Sequence, residues 1–278
     1  MMIPFDFEYY LPQTAEEAVN LFTRLDSEEK KPIYYAGGTE IITLCRQQKI
    51  ATGALIDLKS IPETTVFEKN NGQLAIGANL NLNWIVEENR YPLLSVIVKE
   101  IADHTVRNRL TLGGNICGQL PYREALLPFL LTEAEVMLAG PEGRRTEQVT
   151  TLFDKRLKLA KGELLVQFKV QEDILNLPFL TRRRVKQGPV DYPLYHLACI
   201  MEDEKLKLAV AGLCAFTFRS RELEQVVNNQ TSKHSGTISE LIEKLPGDIR
   251  ADQRGSAAYR KALFEKDLEL FITEMGGR

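Results

Sequence analysis

The chain has 278 residues, 44% apolar and 26% charged, with a net charge of −3 at neutral pH. That composition suits a globular protein with room for one large domain or two ordinary ones, and it carries no general attraction to nucleic acid. No apolar run is long enough to cross a bilayer, and the opening MMIPFDFEYYLPQ lacks the basic start and apolar core of a secretion signal, so a cytoplasmic location is expected.

In LPQTAEEAVNLF, Thr14 stands three residues before Glu17, the spacing of a capping box, and Val19, Phe22 and Leu25 share one helical face. IYYA after Pro32 reads as a strand ending at Gly37–Gly38, followed by a short helix over Ile41–Arg46 and a second strand over Ala54–Leu58. Two β-rich runs flank Asn70, Asn71 and Gly72, predicting a hairpin. Helices are expected around Trp84, over Leu93–Ile101 and over Ala125–Leu131, and strands in AEVML and over Gly162–Val170. The stretch QEDILNLPFLTRRRVKQGPVDYP has three prolines and mixed charge, and Gln171–Asp191 within it reads as a boundary region. Beyond it, LACIM and LKLAVAGLCAFTF predict strands around the polar turn EDEK, and the remainder is mostly helical. The pattern is α/β at the start and α+β at the end.

Two glycine pairs carry the chemistry: YYAGGTEIITL, Tyr34–Leu44, and TLGGNIC, Thr111–Cys117. Paired glycines allow positive φ and remove Cβ, so successive N–H groups can face one anion, with a following helix adding its N-terminal partial charge. A phosphate-bearing ligand suits such turns, with Thr39 and Asn115 as added donors. Each pair can equally be a tight strand–helix turn. AGGTEI matches neither common nucleotide fingerprint, and no lysine follows it to reach a terminal phosphate.

The order AGGTEI, LIDL, LAIGA, VRNRLTLGGN, Pro121–Glu124, AEVML, GELL and SAAYRKAL resembles the flavin-binding subunit of molybdenum hydroxylases, nearly end to end. The group includes flavoprotein subunits of xanthine dehydrogenase and of carbon monoxide dehydrogenase. The resemblance implies a two-subdomain, PCMH-like FAD-binding domain over residues 1–170, divided near 57–60. A boundary at 171–190 and a C-terminal domain of antiparallel strands and helices over 191–278 would follow.

By the same resemblance, Tyr35, Ala36, Gly37, Gly38, Thr39, Glu40 and Ile41 form one wall for FAD, with Gly37–Thr39 holding the pyrophosphate by backbone N–H. Thr111, Leu112, Gly113, Gly114 and Asn115 form the second wall, and Arg107 and Asn108 orient the loop before it. Ile101 falls near the flavin ring, Glu124 near the adenosine part, and Leu165 at a backbone contact to the flavin end. Two departures stand out. QLPYRE replaces the family's ADPxxD, putting Leu120 in place of one Asp and Glu124 in place of the other; and RRRVK, Arg182–Lys186, stands where the family has a lysine near the flavin, with Arg183 or Arg184 as substitutes.

The implied function is an FAD-binding electron-transfer subunit of a xanthine dehydrogenase-like complex. Its partners are a small subunit with [2Fe–2S] clusters and a large subunit with the molybdenum cofactor, and the acceptor is NAD or another. No catalytic acid or base is then needed in this chain. A scaffold subunit with weak or lost FAD binding, and a stand-alone flavin oxidase, are the other readings.

Several residues have plainer roles beside these. Glu40 touches the cofactor or is a solvated first-turn acid; Arg107 neutralises phosphate or pairs with a carboxylate; His104 handles protons or, as a lone histidine in a loop more often does, plays a structural part. The RRRVK run reads as a solvated or subunit-facing face, and Phe7, Tyr9 and Tyr10 as core. Cys45, Cys117, Cys199 and Cys214, with no CxxC pair, read as buried reduced thiols that hold no cluster. His196 and His234 have no ligand spacing, so no metal site is expected.

Overall fold

A computed structural model describes residues 2–188, 191–229 and 236–276, and the chain divides into two compact units. The first comprises Met1–Arg90, His104–Gly118 and Ala134–Glu172, the second Tyr91–Asp103, Gln119–Glu133 and Asp173–Arg278.

In the first unit, α1 (Ala15–Ser27) starts where Thr14 accepts the Glu17 N–H, while the Glu17 carboxylate accepts the N–H of Gln13. The expected box therefore closes one residue further out. Strands β1 (Glu8–Tyr10), β2 (Ile33–Tyr35) and β3 (Ala54–Asp57) form a parallel sheet with β3 in the centre. Helix α2 (Thr39–Arg46) follows β2. Strands β4 (Phe67–Asn70), β5 (Gln73–Gly77), β6 (Glu135–Gly140), β7 (Gly143–Gln148) and β10 (Leu164–Gln171) form an antiparallel sheet ordered β4-β5-β10-β6-β7. Asn71 and Gly72 both take positive φ in the β4–β5 turn, the conformation that matches the strand twist. Ala15, Ala18, Val19 and Leu25 of α1 share one core cluster with Ile56 of β3 and with Ala139, Leu164 and Val166 of the second sheet. Short helices α3 (Leu82–Glu88), α5 (His104–Arg107), α6 (Leu112–Cys117) and α8 (Val149–Leu152) complete the unit with the two-residue strands β8 (Phe153–Asp154) and β9 (Arg156–Leu157).

The second unit holds a sheet ordered β11-β12-β13-β14, from β11 (Phe179–Val185), β12 (Pro193–Glu202), β13 (Lys205–Ala211) and β14 (Phe218–Arg219). Asp203 and Glu204 take positive φ in the β12–β13 turn, where the polar EDEK stands. Tyr195, Leu197 and Cys199 share a core with residues of α9 (Arg221–Asn228), α10 (Gly236–Glu243) and α11 (Ala257–Gly276). Alternate residues of β12 face the other way, where α7 (Leu127–Leu131) packs on the sheet. The sheet is therefore covered on both faces at its centre, which is why β12 and the second half of β13 read as near-continuous apolar runs. Helices α4 (Pro92–Lys99) and α7 belong to this unit although they fall within the stretch 1–170. Every residue of α7 is buried, so it needs cover all round and takes it partly from a sheet that follows it in the chain.

Several expectations are corrected. Strand β11 lies inside the stretch that reads as a boundary; its run of arginines hides a strand because two of them, Arg183 and Arg184, are drawn inward by pairing. Arg183 and Arg184 point to opposite faces of β11 and bond to Glu124 and Asp267 respectively, so these two are not solvated, whereas Arg182 and Lys186 are exposed. Phe7 and Tyr9 are exposed and Tyr10 is half-buried, because β1 is an edge strand and not core. Cys117 is exposed, whereas the other three cysteines are buried. LKLAVAGLCAFTF is not one strand: β13 ends at Ala211, and Gly212 turns with positive φ. His234 lies outside the described residues.

Candidate functional site

The first glycine turn leaves the carboxyl end of β2, at the edge where ligands sit on parallel sheets. Gly38 caps α2 with φ 72°, a conformation that disfavours other residues. Gly37 is close-packed: a methyl group there would collide with the carbonyl of Arg109, two residues before the second stretch. The two glycine turns are thus brought together within the first unit. Among the described residues, the N–H groups of Gly37, Gly38 and Thr39 donate to no acceptor, and Thr39 is exposed. Three successive N–H groups beside a helix start make a cradle for an anion.

The second stretch is built differently. Thr111 caps α6 and accepts the N–H of Gly114. Leu112 donates to Leu80, Gly113 to Ala78 and Asn115 to Thr111. Its backbone N–H groups are committed, so its glycines serve close approach: a methyl at Gly113 would stand 3.0 Å from Ala78. Only the first turn offers an anion a row of uncommitted N–H groups.

The loop before the second stretch is fixed by Asn83, a buried residue of α3 that sequence reasoning missed. Its Nδ2 donates to the His104 carbonyl and to Asn108 Oδ1, each at 2.7 Å, and its Oδ1 accepts from Arg107 Nε at 3.0 Å. A lone asparagine in an amphipathic helix gives no signal of this. The structure therefore gives Arg107 an amide partner. Tyr35 ends β2 with its ring against Gly38, whereas Tyr34 packs on Phe22 and donates to the Gly162 carbonyl. Glu40 and Ile41 lie in the first turn of α2, and the Glu40 carboxylate comes to 3.1 Å from the place of a Gly118 Cβ, at the end of α6. Leu165 is buried in β10 beside a bulge, where the Val166 carbonyl accepts the Ala78 N–H.

Ile101 and Glu124 belong to the second unit. Ile101 is buried just after α4. Glu124 is 2% exposed, and its Oε1 accepts from Arg183 Nε at 2.7 Å and contacts His196 Nδ1 at 2.9 Å. His196 Nε2 lies 2.7 Å from Thr181 Oγ1 and 3.4 Å from Glu100. Burial alone would raise the Glu124 carboxyl; the hydrogen bond and charge of His196, with Arg183, outweigh it and hold the carboxyl below its usual range. Among the described residues no group of three or more His, Cys, Asp or Glu is placed to hold a metal, and no helix is long and apolar enough to cross a membrane.

Comparison with known proteins agrees with the fold. Residues 5–170 match the family described as the FAD binding domain in molybdopterin dehydrogenase. The carbon monoxide dehydrogenase medium chain of Hydrogenophaga pseudoflava is 33% identical over 175 residues, covering 61% of this chain and 60% of that protein. The xanthine dehydrogenase FAD-binding subunit of Escherichia coli O157:H7 is 26% identical over 289 residues, covering 97% and 96%. A chain of the carbon monoxide dehydrogenase structure from H. pseudoflava, in a form lacking the Mo-pyranopterin moiety of its cofactor, superposes with a TM-score of 0.85 at 25% identity, covering 97% of this chain and 96% of that one.

Proposed function

The chain belongs to the family of FAD-binding domains of molybdopterin dehydrogenases, and on that premise we propose that it is the electron-transfer subunit of a xanthine dehydrogenase-like molybdenum hydroxylase. Its partners in this reading are a small subunit carrying [2Fe–2S] clusters and a large subunit carrying the molybdenum cofactor. It relays electrons from the clusters to an acceptor such as NAD, in the cytoplasm. Bound FAD supplies the redox chemistry of that relay.

The observation that carries the reading is the cradle of Gly37, Gly38 and Thr39, whose N–H groups have no acceptor among the described residues and suit a pyrophosphate. The remaining residues of the first wall are Tyr35, Ala36, Glu40 and Ile41. Thr111–Asn115 form the second, behind the loop that Arg107 and Asn108 shape, with Leu165 at the flavin end. Ile101 and Glu124, the other two residues assigned by the resemblance, belong to the second unit. Glu124 enters it already bonded to Arg183 and His196, so any ligand hydroxyl must share a committed carboxylate. The family match over residues 5–170 supports taking residues 1–170, with subdomains meeting near 57–60, as the FAD-binding domain. Residues 171–190 then lead into a C-terminal domain over 191–278.

These residues bind, orient and exclude water; none is asked to move a proton to or from the hydroxylated substrate. The test of the substrate and acceptor is purification of the complex with its partner subunits, assayed with xanthine and NAD. NADH formation coupled to xanthine oxidation is the expected result. Turnover only with another substrate or acceptor would reassign the finer function and leave the FAD role standing.

A further inference from the structure

Lys59 stands beside the cradle although it lies 22 residues beyond Gly37 in the chain. Strands β2 and β3 run parallel with Tyr35 opposite Asp57, which brings the residues after Asp57 alongside the glycine turn. The Leu58 N–H donates to the Tyr35 carbonyl at 2.9 Å. Asp57 is fully buried and its carboxylate takes three donors: the Tyr9 hydroxyl, the Lys59 N–H at 3.0 Å and the Lys59 ammonium at 2.6 Å. The same ammonium donates to the Ala36 carbonyl at 3.2 Å and stands 4.6 Å above the Tyr35 ring centroid. That ring lies against Gly38.

The carbonyl and N–H of a trans peptide point in opposite directions. Drawing the Ala36 carbonyl toward Lys59 therefore turns the Gly37 N–H away from Lys59. Glycine at 37 does little to resist rotation of this peptide, so its orientation depends on what holds the carbonyl. We propose that Lys59, held by Asp57 and Tyr9, is a positioning residue that fixes the Ala36–Gly37 peptide so that the Gly37, Gly38 and Thr39 N–H groups face the cofactor's phosphates. The proposal rests on the FAD-binding reading and adds to it the brace that sets the cradle. It also gives the first turn a lysine from the neighbouring strand where AGGTEI has none following it.

The test measures the affinity of the full chain for FAD, ADP and riboflavin, for the wild type, Lys59→Met, Lys59→Arg and Asp57→Asn, with ligand-free melting as the control for folding. Lys59→Met keeps the aliphatic stem and removes the donor from an exposed side chain, so it is the decisive variant. It is expected to weaken FAD and ADP about tenfold, the scale of one ligand hydrogen bond, and to leave melting and riboflavin binding unchanged. Lys59→Arg, which can still donate to both oxygens, is expected to retain most of the affinity, and Asp57→Asn to fall with Lys59→Met. Wild-type affinity for FAD in Lys59→Met, or an equal loss for riboflavin, would overturn the proposal. A wild-type chain that binds none of the three ligands would overturn the FAD reading itself and the brace with it.

Discussion

At Gly37 a backbone oxygen occupies the space where any other residue would carry Cβ. A carbonyl cannot move aside as a flexible side chain can, so Gly37→Ala is expected to lower stability by about 1–3 kcal/mol, read by thermal melting, and to abolish FAD retention. Glu124 makes the opposite kind of demand, since its charge is buried and depends on Arg183 and His196. Its carboxyl is held below the usual range in the folded chain, so its contribution is present above the unfolded carboxyl value and is lost as pH falls through the folded value. Glu124→Gln should cost about 3–5 kcal/mol at neutral pH and flatten the acid limb of the stability profile. Melting curves between neutral pH and pH 3 would show it, and a variant with an unchanged acid limb would count against the cluster. At this scale the glycines were legible because their chemistry is local. The partners of Asn83 and Glu124, and the Ala36 carbonyl that Lys59 reaches, were not, because each is brought by a segment distant in the chain.

Elements form where local signals and packing agree. The Thr14 cap, the Asn71–Gly72 hairpin and the Asp203–Glu204 turn are each announced by neighbouring residues and each appears in place. Thr14→Ala is expected to cost about 1 kcal/mol, measurable by denaturant melt, since only one N–H of α1 loses its acceptor. Phe129→Ala in α7 should cost about 3–5 kcal/mol, because a fully buried ring leaves a cavity between that helix and its neighbours. The elements that escaped sequence reading have non-local causes. Strand β1 exists because β3 offers it an edge, and its exposed Tyr9 gives no buried alternation to read. Strand β11 carries three consecutive arginines, and two of them become intelligible only once Glu124 and Asp267 stand across from them.

For the whole molecule, the order of motifs along the chain carries the family more strongly than any one motif. AGGTEI or TLGGN alone would fit many turns, whereas their sequence with LIDL, LAIGA and GELL fits one arrangement. The grouping of α4 and α7 with the C-terminal residues was not legible, since apolar helices show that they are buried but not by which sheet. The central claim is that the first glycine turn of this molecule holds FAD. Its most direct test is the visible absorption spectrum of the chain co-purified with its partner subunits, after incubation with FAD and desalting. A retained flavin spectrum at close to one FAD per chain is predicted. A folded, fully assembled complex that retains no flavin would contradict the account and leave a scaffold subunit in its place.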